Sequence, residues 1–239
     1  MNLPHGGYKP EVGAPDELAA SHHIFITGGT GYIGRHLVPV LLARNHRVRL
    51  LCRDGSEKKA PEGCEIVPGD ALQKSSFQDH IGPCDTFLHM VGVSHPNPLK
   101  SEQFKKVDLA SVYAAVDAAQ SAGIRHFIYI SVGQPAPVMK SFTRVRAECE
   151  ALIRTSGLAA TIVRPWYVLG PGHRWPYALM PVYWLLERIP STRSTALRLG
   201  LVKLENMLAA LVHAVEHPCR SIENCILEVQ QIRNFHLNP

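Results

Sequence analysis

Residues 27–34 read Thr-Gly-Gly-Thr-Gly-Tyr-Ile-Gly, and few structures accommodate such a stretch in its context. The apolar run His23-Ile24-Phe25-Ile26 precedes it. Arg35-His36-Leu37-Val38-Pro39-Val40-Leu41-Leu42 follows with apolar residues at helical spacing. Strand, glycine turn and helix in that order form a phosphate-binding corner. Gly28 lets the chain reverse at the strand end, Gly31 lets the backbone approach a pyrophosphate, and Gly34 lets the helix pack closely on the strand. The N–H groups freed at the helix start, at the positive end of its dipole, then face the phosphates. The implied ligand is a dinucleotide, with Thr30, Tyr32 and Ile33 as further contacts and Arg35 as a positive charge near the phosphates.

The remaining composition narrows the class. At 239 residues, 46% apolar and 19% charged, the chain has the makeup of an ordinary globular protein able to bury a sizeable core without a metal or disulfide staple. Six cysteines and thirteen histidines are scattered without ligand-like spacing, so no metal is expected and the cysteines are expected to be buried and reduced. The net charge of +5 is spread out, with no Lys/Arg run pointing to nucleic acid. No signal-peptide pattern and no apolar run of roughly 18 residues is present, and a cytoplasmic protein is expected.

In order, residues 1–21 form an expected mobile leader, residues 22–172 a dinucleotide-binding domain, and residues 173–239 a small C-terminal region that completes the fold and covers the cleft. Strands are expected at about His23–Thr27, Arg47–Arg53, Cys64–Pro68, Asp85–Gly92, Arg125–Ser131 and Ala160–Arg164, with a last one near Asn224–Val229. Helices are expected after Gly31 to near Asn45, over Gln73–His80, Ser101–Ala122 and Val202–Glu216. Repeated strand–helix units with strands this apolar indicate α/β architecture, a Rossmann-type doubly wound parallel sheet. The second strand ends in Arg53, where an acidic residue would hold ribose hydroxyls in an NAD binder. Arg53 can pair instead with a 2′-phosphate, which favours NADP(H) over NAD(H), although Asp54 follows directly.

The T-G-x-x-G-x-x-G spacing of Gly28, Gly31 and Gly34 resembles that of the extended and atypical short-chain dehydrogenase/reductases (SDRs). So does the string Ile162-Val163-Arg164-Pro165-Trp166-Tyr167-Val168-Leu169-Gly170-Pro171-Gly172, which is similar to an NmrA-like and epimerase/dehydratase-like segment. The resemblance covers about residues 23–172 and implies NAD(P) binding. It places Asp70, in Gly69-Asp70-Ala71-Leu72, beside the adenine; from the residues alone, Asp70 equally caps a helix. It also places Met90, Val91 and Gly92 under the nicotinamide ribose, Ser131 at the catalytic Ser/Thr position, Asp108 on a helix that carries an Asn or Asp, and Pro165 on the cleft wall.

The same resemblance predicts a Y-x-x-x-K pair on one helix face, the Tyr acting as acid or base and the Lys holding the ribose. The matching frame holds Phe142 and Arg146. Phenylalanine has no proton to donate, and Arg146 can hold a ribose or phosphate only. The resemblance therefore implies a nucleotide-binding sensor or accessory protein. The alternative is an NADPH-dependent oxidoreductase acting without a catalytic Tyr on a quinone-like or other small apolar substrate, with Ser131, Lys140 and Tyr167 as weak catalytic candidates. The segment Trp175–Leu186 is dense in aromatic and aliphatic residues; as core, lid, partner-docking helix or membrane-surface helix, its stretch Tyr177–Leu186 stays open.

Overall fold

The computed structural model describes residues 21–93, 96–172, 175–219 and 224–237. All but Ser21 of the expected leader lies outside them. The chain runs β1 (His23–Thr27), α1 (Gly34–Ala43), β2 (Arg47–Cys52), β3 (Glu65–Pro68), β4 (Thr86–His89) and α2 (Ser101–Gln103). A π-helical turn, Phe104–Leu109, then leads into α3 (Ala110–Ser121), β5 (His126–Ile130), α4 (Lys140–Thr155), β6 (Ala160–Arg164) and β7 (Tyr167–Leu169). The rest comprises α5 (Met180–Leu186), α6 (Pro190–Arg198), β8 (Leu201–Lys203), α7 (Leu204–Glu216), β9 (Cys225–Glu228) and α8 (Val229–Ile232).

Seven strands form one sheet in the order β3-β2-β1-β4-β5-β6-β9, and every pairing is parallel. Successive side chains alternate faces. Ile24 and Ile26 therefore point into one core layer with Leu37 and Leu41 of α1 and with α7. Phe25 points into the other layer, with Phe87, Phe127 and the α3–α4 side. Burial on both faces explains why β1, β4 and β5 read as nearly continuous apolar runs. The strand order reverses at β1, whose neighbours are β2 and β4. A crevice at the carboxyl ends of β1 and β4 is the place where such sheets take ligands.

Three expectations need correction. The helix expected over Gln73–His80 is two short 3-10 turns, Lys74–Ser76 and Gln78–His80. Phe77 between them is fully buried and stacks on Phe25 at 5.9 Å, and reaching that site takes its backbone to φ −142°, outside a helix. The expectation of six reduced cysteines fails for one pair: Cys219 and Cys225 form a disulfide with Cα atoms 5.8 Å apart. The fold brings the start of β9 beside the segment following α7, a proximity that a separation of six residues does not announce. The third concerns Tyr177–Leu186, where a core role is excluded for most of the stretch by its exposure. The small parallel sheet β7–β8 was also not anticipated.

Candidate functional site

The glycine turn is built by close approach. Gly28 sits at φ +79°, and a Cβ there would meet the Met90 carbonyl and Val91 nitrogen at 2.7–2.9 Å. A Cβ on Gly34 would lie 2.3–2.5 Å from the Gly29 backbone, so the first turn of α1 can press against the strand–turn junction only without a side chain. The Gly31 N–H donates to the Gly28 carbonyl at 3.0 Å and closes the turn. No side chain caps α1, and no acidic residue stands in its first turn. Its N-terminus thus offers donors and a positive dipole end with no competing anion from its own first turn. These features fit a dinucleotide pyrophosphate.

The turn opens into a cleft of about 600 Å³. Gly28, Gly31, Tyr32, Ile33 and Gly34 form one wall. Met90 and Gly92 after β4, with Ile130 and Ser131 at the end of β5, form the floor. Phe142 and Arg146 of α4 and the run Pro165–Val168 close the other side. Phe142 and Arg146 share a face because residues four apart on a helix are neighbours. Lys140 is two positions from Phe142, roughly 200° around the helix, and is exposed outside the cleft lining.

Arg146 is buried and held from three sides. Its Nη2 lies 2.5 Å from Asp108 Oδ1, and its Nη1 donates to the Tyr129 hydroxyl at 3.0 Å and to the Ile130 carbonyl at 2.8 Å. Asp108, on the π-helical turn and fully buried, also accepts from the Val93 N–H at 3.2 Å. Burial pushes the Asp108 carboxyl above its ordinary range, against the pull of Arg146 beside it. Arg146 Nε is buried without a hydrogen-bond partner among the described residues.

Ser131 lines the cleft, but its hydroxyl donates to Glu150 Oε1 at 2.6 Å. Glu150 accepts as well from Gln134, Arg154 and Arg164, and Arg164 reaches on to Glu228. A serine bonded to a buried carboxylate is not poised to give a proton elsewhere. Tyr167 is half-buried on the wall, and burial pushes its hydroxyl above the ordinary value.

The other expected contacts stand outside the cleft lining. Thr30 lies within the turn. Arg35 is exposed, with its guanidinium 5.5 Å from the Tyr32 ring centroid. Arg53 is exposed just past β2 and has no side-chain partner among the described residues. Asp70 Oδ1 accepts from the Leu72 N–H at 3.0 Å, so its carboxylate shapes the turn after β3. Ala71 is buried, and its methyl packs in the Phe77 layer. Val91 adjoins Met90 and packs partly on that layer.

Sequence reading missed Val132, Met139, Pro96 and Asn97 on the wall. Met139 precedes α4 in the left-handed region at φ 56°, a conformation uncommon for a residue with a side chain. That conformation is visible only in three dimensions.

A family model described as NAD(P)H-binding matches residues 28–177, from the glycine turn through the far cleft wall. The chain belongs to this NAD(P)H-binding family. The Agrobacterium tumefaciens SDR-superfamily protein with bound NAD has the same fold, with a TM-score of 0.64 at 18% identity over 87% of this chain and 77% of that one. The SDR-like, Rossmann-type architecture of this family member is thereby established. The ceramide reductase of Caulobacter vibrioides is 27% identical over 212 residues, 88% of this chain and 65% of its own length. A photosystem II assembly factor of Trieres chinensis is 31% identical over 111 residues, 45% of this chain and 34% of its own. The NAD(P)H-binding chain thus spans between about a third and two thirds of these curated relatives.

Proposed function

We propose that this family member holds NADPH in the cleft as a nucleotide-binding sensor or accessory protein, without tyrosine-dependent acid–base catalysis. One observation carries the reading: Phe142, with no ionisable atom, stands on the cleft wall four residues before Arg146, in the frame where SDR enzymes place Tyr and Lys. The bound cofactor, if it reacts, supplies hydride chemistry. The chain's own groups supply binding. Gly28, Gly31 and Gly34 admit the pyrophosphate to the N-terminus of α1, and Arg146 Nε is a buried donor for a ribose hydroxyl. Arg53 and Arg35 are cations for a 2′-phosphate. The neighbouring Ser131 proton is held by Glu150. The assembly-factor relative gives a precedent for a role beyond catalysis.

The experiment is NADPH oxidation measured over a panel of ketones and aldehydes, beside direct NADPH binding. Binding without carbonyl turnover is expected. Carbonyl reduction at ordinary enzymatic rates would refute the accessory reading. A second reading, an oxidoreductase on a quinone-like apolar substrate, draws on the apolar lining (Ile130, Val132, Met139, Trp166, Val168) and on the ceramide reductase relative. Turnover of quinones or enones alone would favour it.

A further inference from the structure

Helix α5 shows solvent an unusually apolar face. Tyr177, Met180, Val182, Trp184 and Leu185 are each between 46% and 58% exposed, and Ile189 follows at 39%. Val182 and Leu185, three positions apart, share one side of this short helix and Trp184 lies on another, so apolar side chains reach solvent on more than one side. Monomeric proteins seldom leave such a patch uncovered.

Its charges are one-sided. Residues 175–205 carry Arg188, Arg193, Arg198 and Lys203 against Glu187 and Glu205, and Glu205 pairs with Lys203 at 3.1 Å, which leaves the three arginines. Glu187 is paired with Arg233 at 3.0 Å, which removes its charge from the count. Arg188 lies over the Trp184 ring, 3.4 Å from its centroid, and Arg193 is exposed on α6. An indole beneath a guanidinium among exposed apolar side chains suits the boundary between lipid chains and anionic headgroups. Among the described residues no helix is long and apolar enough to cross a membrane.

Tyr183 of α5 is half-buried, and Trp166 is among the groups that act on its hydroxyl. Trp166 lines the cleft. We propose that α5 and its flanking arginines dock this protein on an anionic phospholipid bilayer, setting the wall of the cleft beside the membrane surface. The proposal stands on the patch and its charges and does not depend on the nucleotide reading.

Flotation with vesicles of equal parts phosphatidylglycerol and phosphatidylcholine tests it, against pure phosphatidylcholine vesicles. Binding to the anionic vesicles, weakened by salt, is expected. Arg188→Gln with Arg193→Gln should weaken it roughly thirtyfold, at about 1 kcal/mol per cation removed. Trp184→Ser with Leu185→Ser should abolish it. These side chains are exposed, and retained far-ultraviolet circular dichroism would show the variants folded. No flotation with anionic vesicles, equal flotation with neutral ones, or indifference to both variants would overturn the proposal. So would a wild-type dimer in sedimentation that Trp184→Ser dissociates, since the occupant would then be a second copy of the chain.

Discussion

Replacing Asp108 with asparagine should destabilise the fold by about 3 kcal/mol. Asp108 is fully buried and is the only carboxylate paired with Arg146 among the described residues. Removing one partner of a buried ion pair typically costs roughly 3–5 kcal/mol, because the other charge is left without compensation. Arg146 would keep two neutral acceptors, Tyr129 Oη at 3.0 Å and the Ile130 carbonyl at 2.8 Å, and asparagine preserves the shape. Both facts place the cost at the lower end. Urea unfolding reads it directly: with a slope of about 3 kcal/mol/M for a chain of this size, the midpoint should fall by roughly 1 M. The double substitution Asp108→Leu with Arg146→Met removes both charges and should be much less damaging than the two single changes added together, since an apolar pair of similar volume often replaces a buried ion pair without loss. A cost below about 1 kcal/mol for Asp108→Asn, or simple additivity in the double variant, would refute the account of the pair.

Other outcomes follow from the same geometry. Gly34→Ala sets a methyl against the Gly29 backbone at 2.3–2.5 Å and should cost about 1–3 kcal/mol by overpacking, with loss of nucleotide affinity; both are read by thermal unfolding with and without NADPH. Stability should fall in acid. Burial lowers His89 to about 3 and His126 to about 4, so the unfolded chain takes up protons at these sites first, near the ordinary histidine value of roughly 6.5. Stability from the two is therefore complete above that value and decreases as the pH drops below it, by roughly 3–4 kcal/mol between pH 7 and 5. Urea titrations at the two pH values test this, and His89→Gln should reduce the dependence. Glu150→Ala leaves the Arg164 guanidinium with Glu228 as its carboxylate partner and frees the Ser131 hydroxyl, and should lower the urea midpoint by less than Asp108→Asn.

The nucleotide half of the site was legible because its determinants are local. Gly31 and Gly34 are required by contacts within one strand–turn–helix unit, Gly28 carries the turn's positive φ although its closest contacts are Met90 and Val91 after β4, and the strand runs around them carry their own apolar signature. The reading of Pro165 and Tyr167 drew on a contiguous string for the same reason, and both line the cleft. What could not be read depends on distant segments meeting. Asp108 and Arg146 are 38 positions apart, and nothing in either neighbourhood announces that a π-helical turn will aim one at the other. Ser131 kept its sequence position, but its hydroxyl partner comes from the opposite end of α4. Cys219 and Cys225 are close in sequence but meet because β9 joins the sheet beside β6. Tyr177–Leu186 is apolar enough to read as core, and only the tertiary arrangement shows most of it facing outward.

Calorimetric titration with NADPH and then NADH, on the wild type and on Arg53→Asp, tests the central claim most directly. The account predicts saturable binding of NADPH, tighter than that of NADH, and a loss on the order of tenfold in NADPH affinity for the variant as a charge-assisted contact is replaced by repulsion. Absence of binding by either nucleotide would contradict the cleft assignment itself. Equal affinities untouched by Arg53→Asp would contradict the 2′-phosphate reading alone.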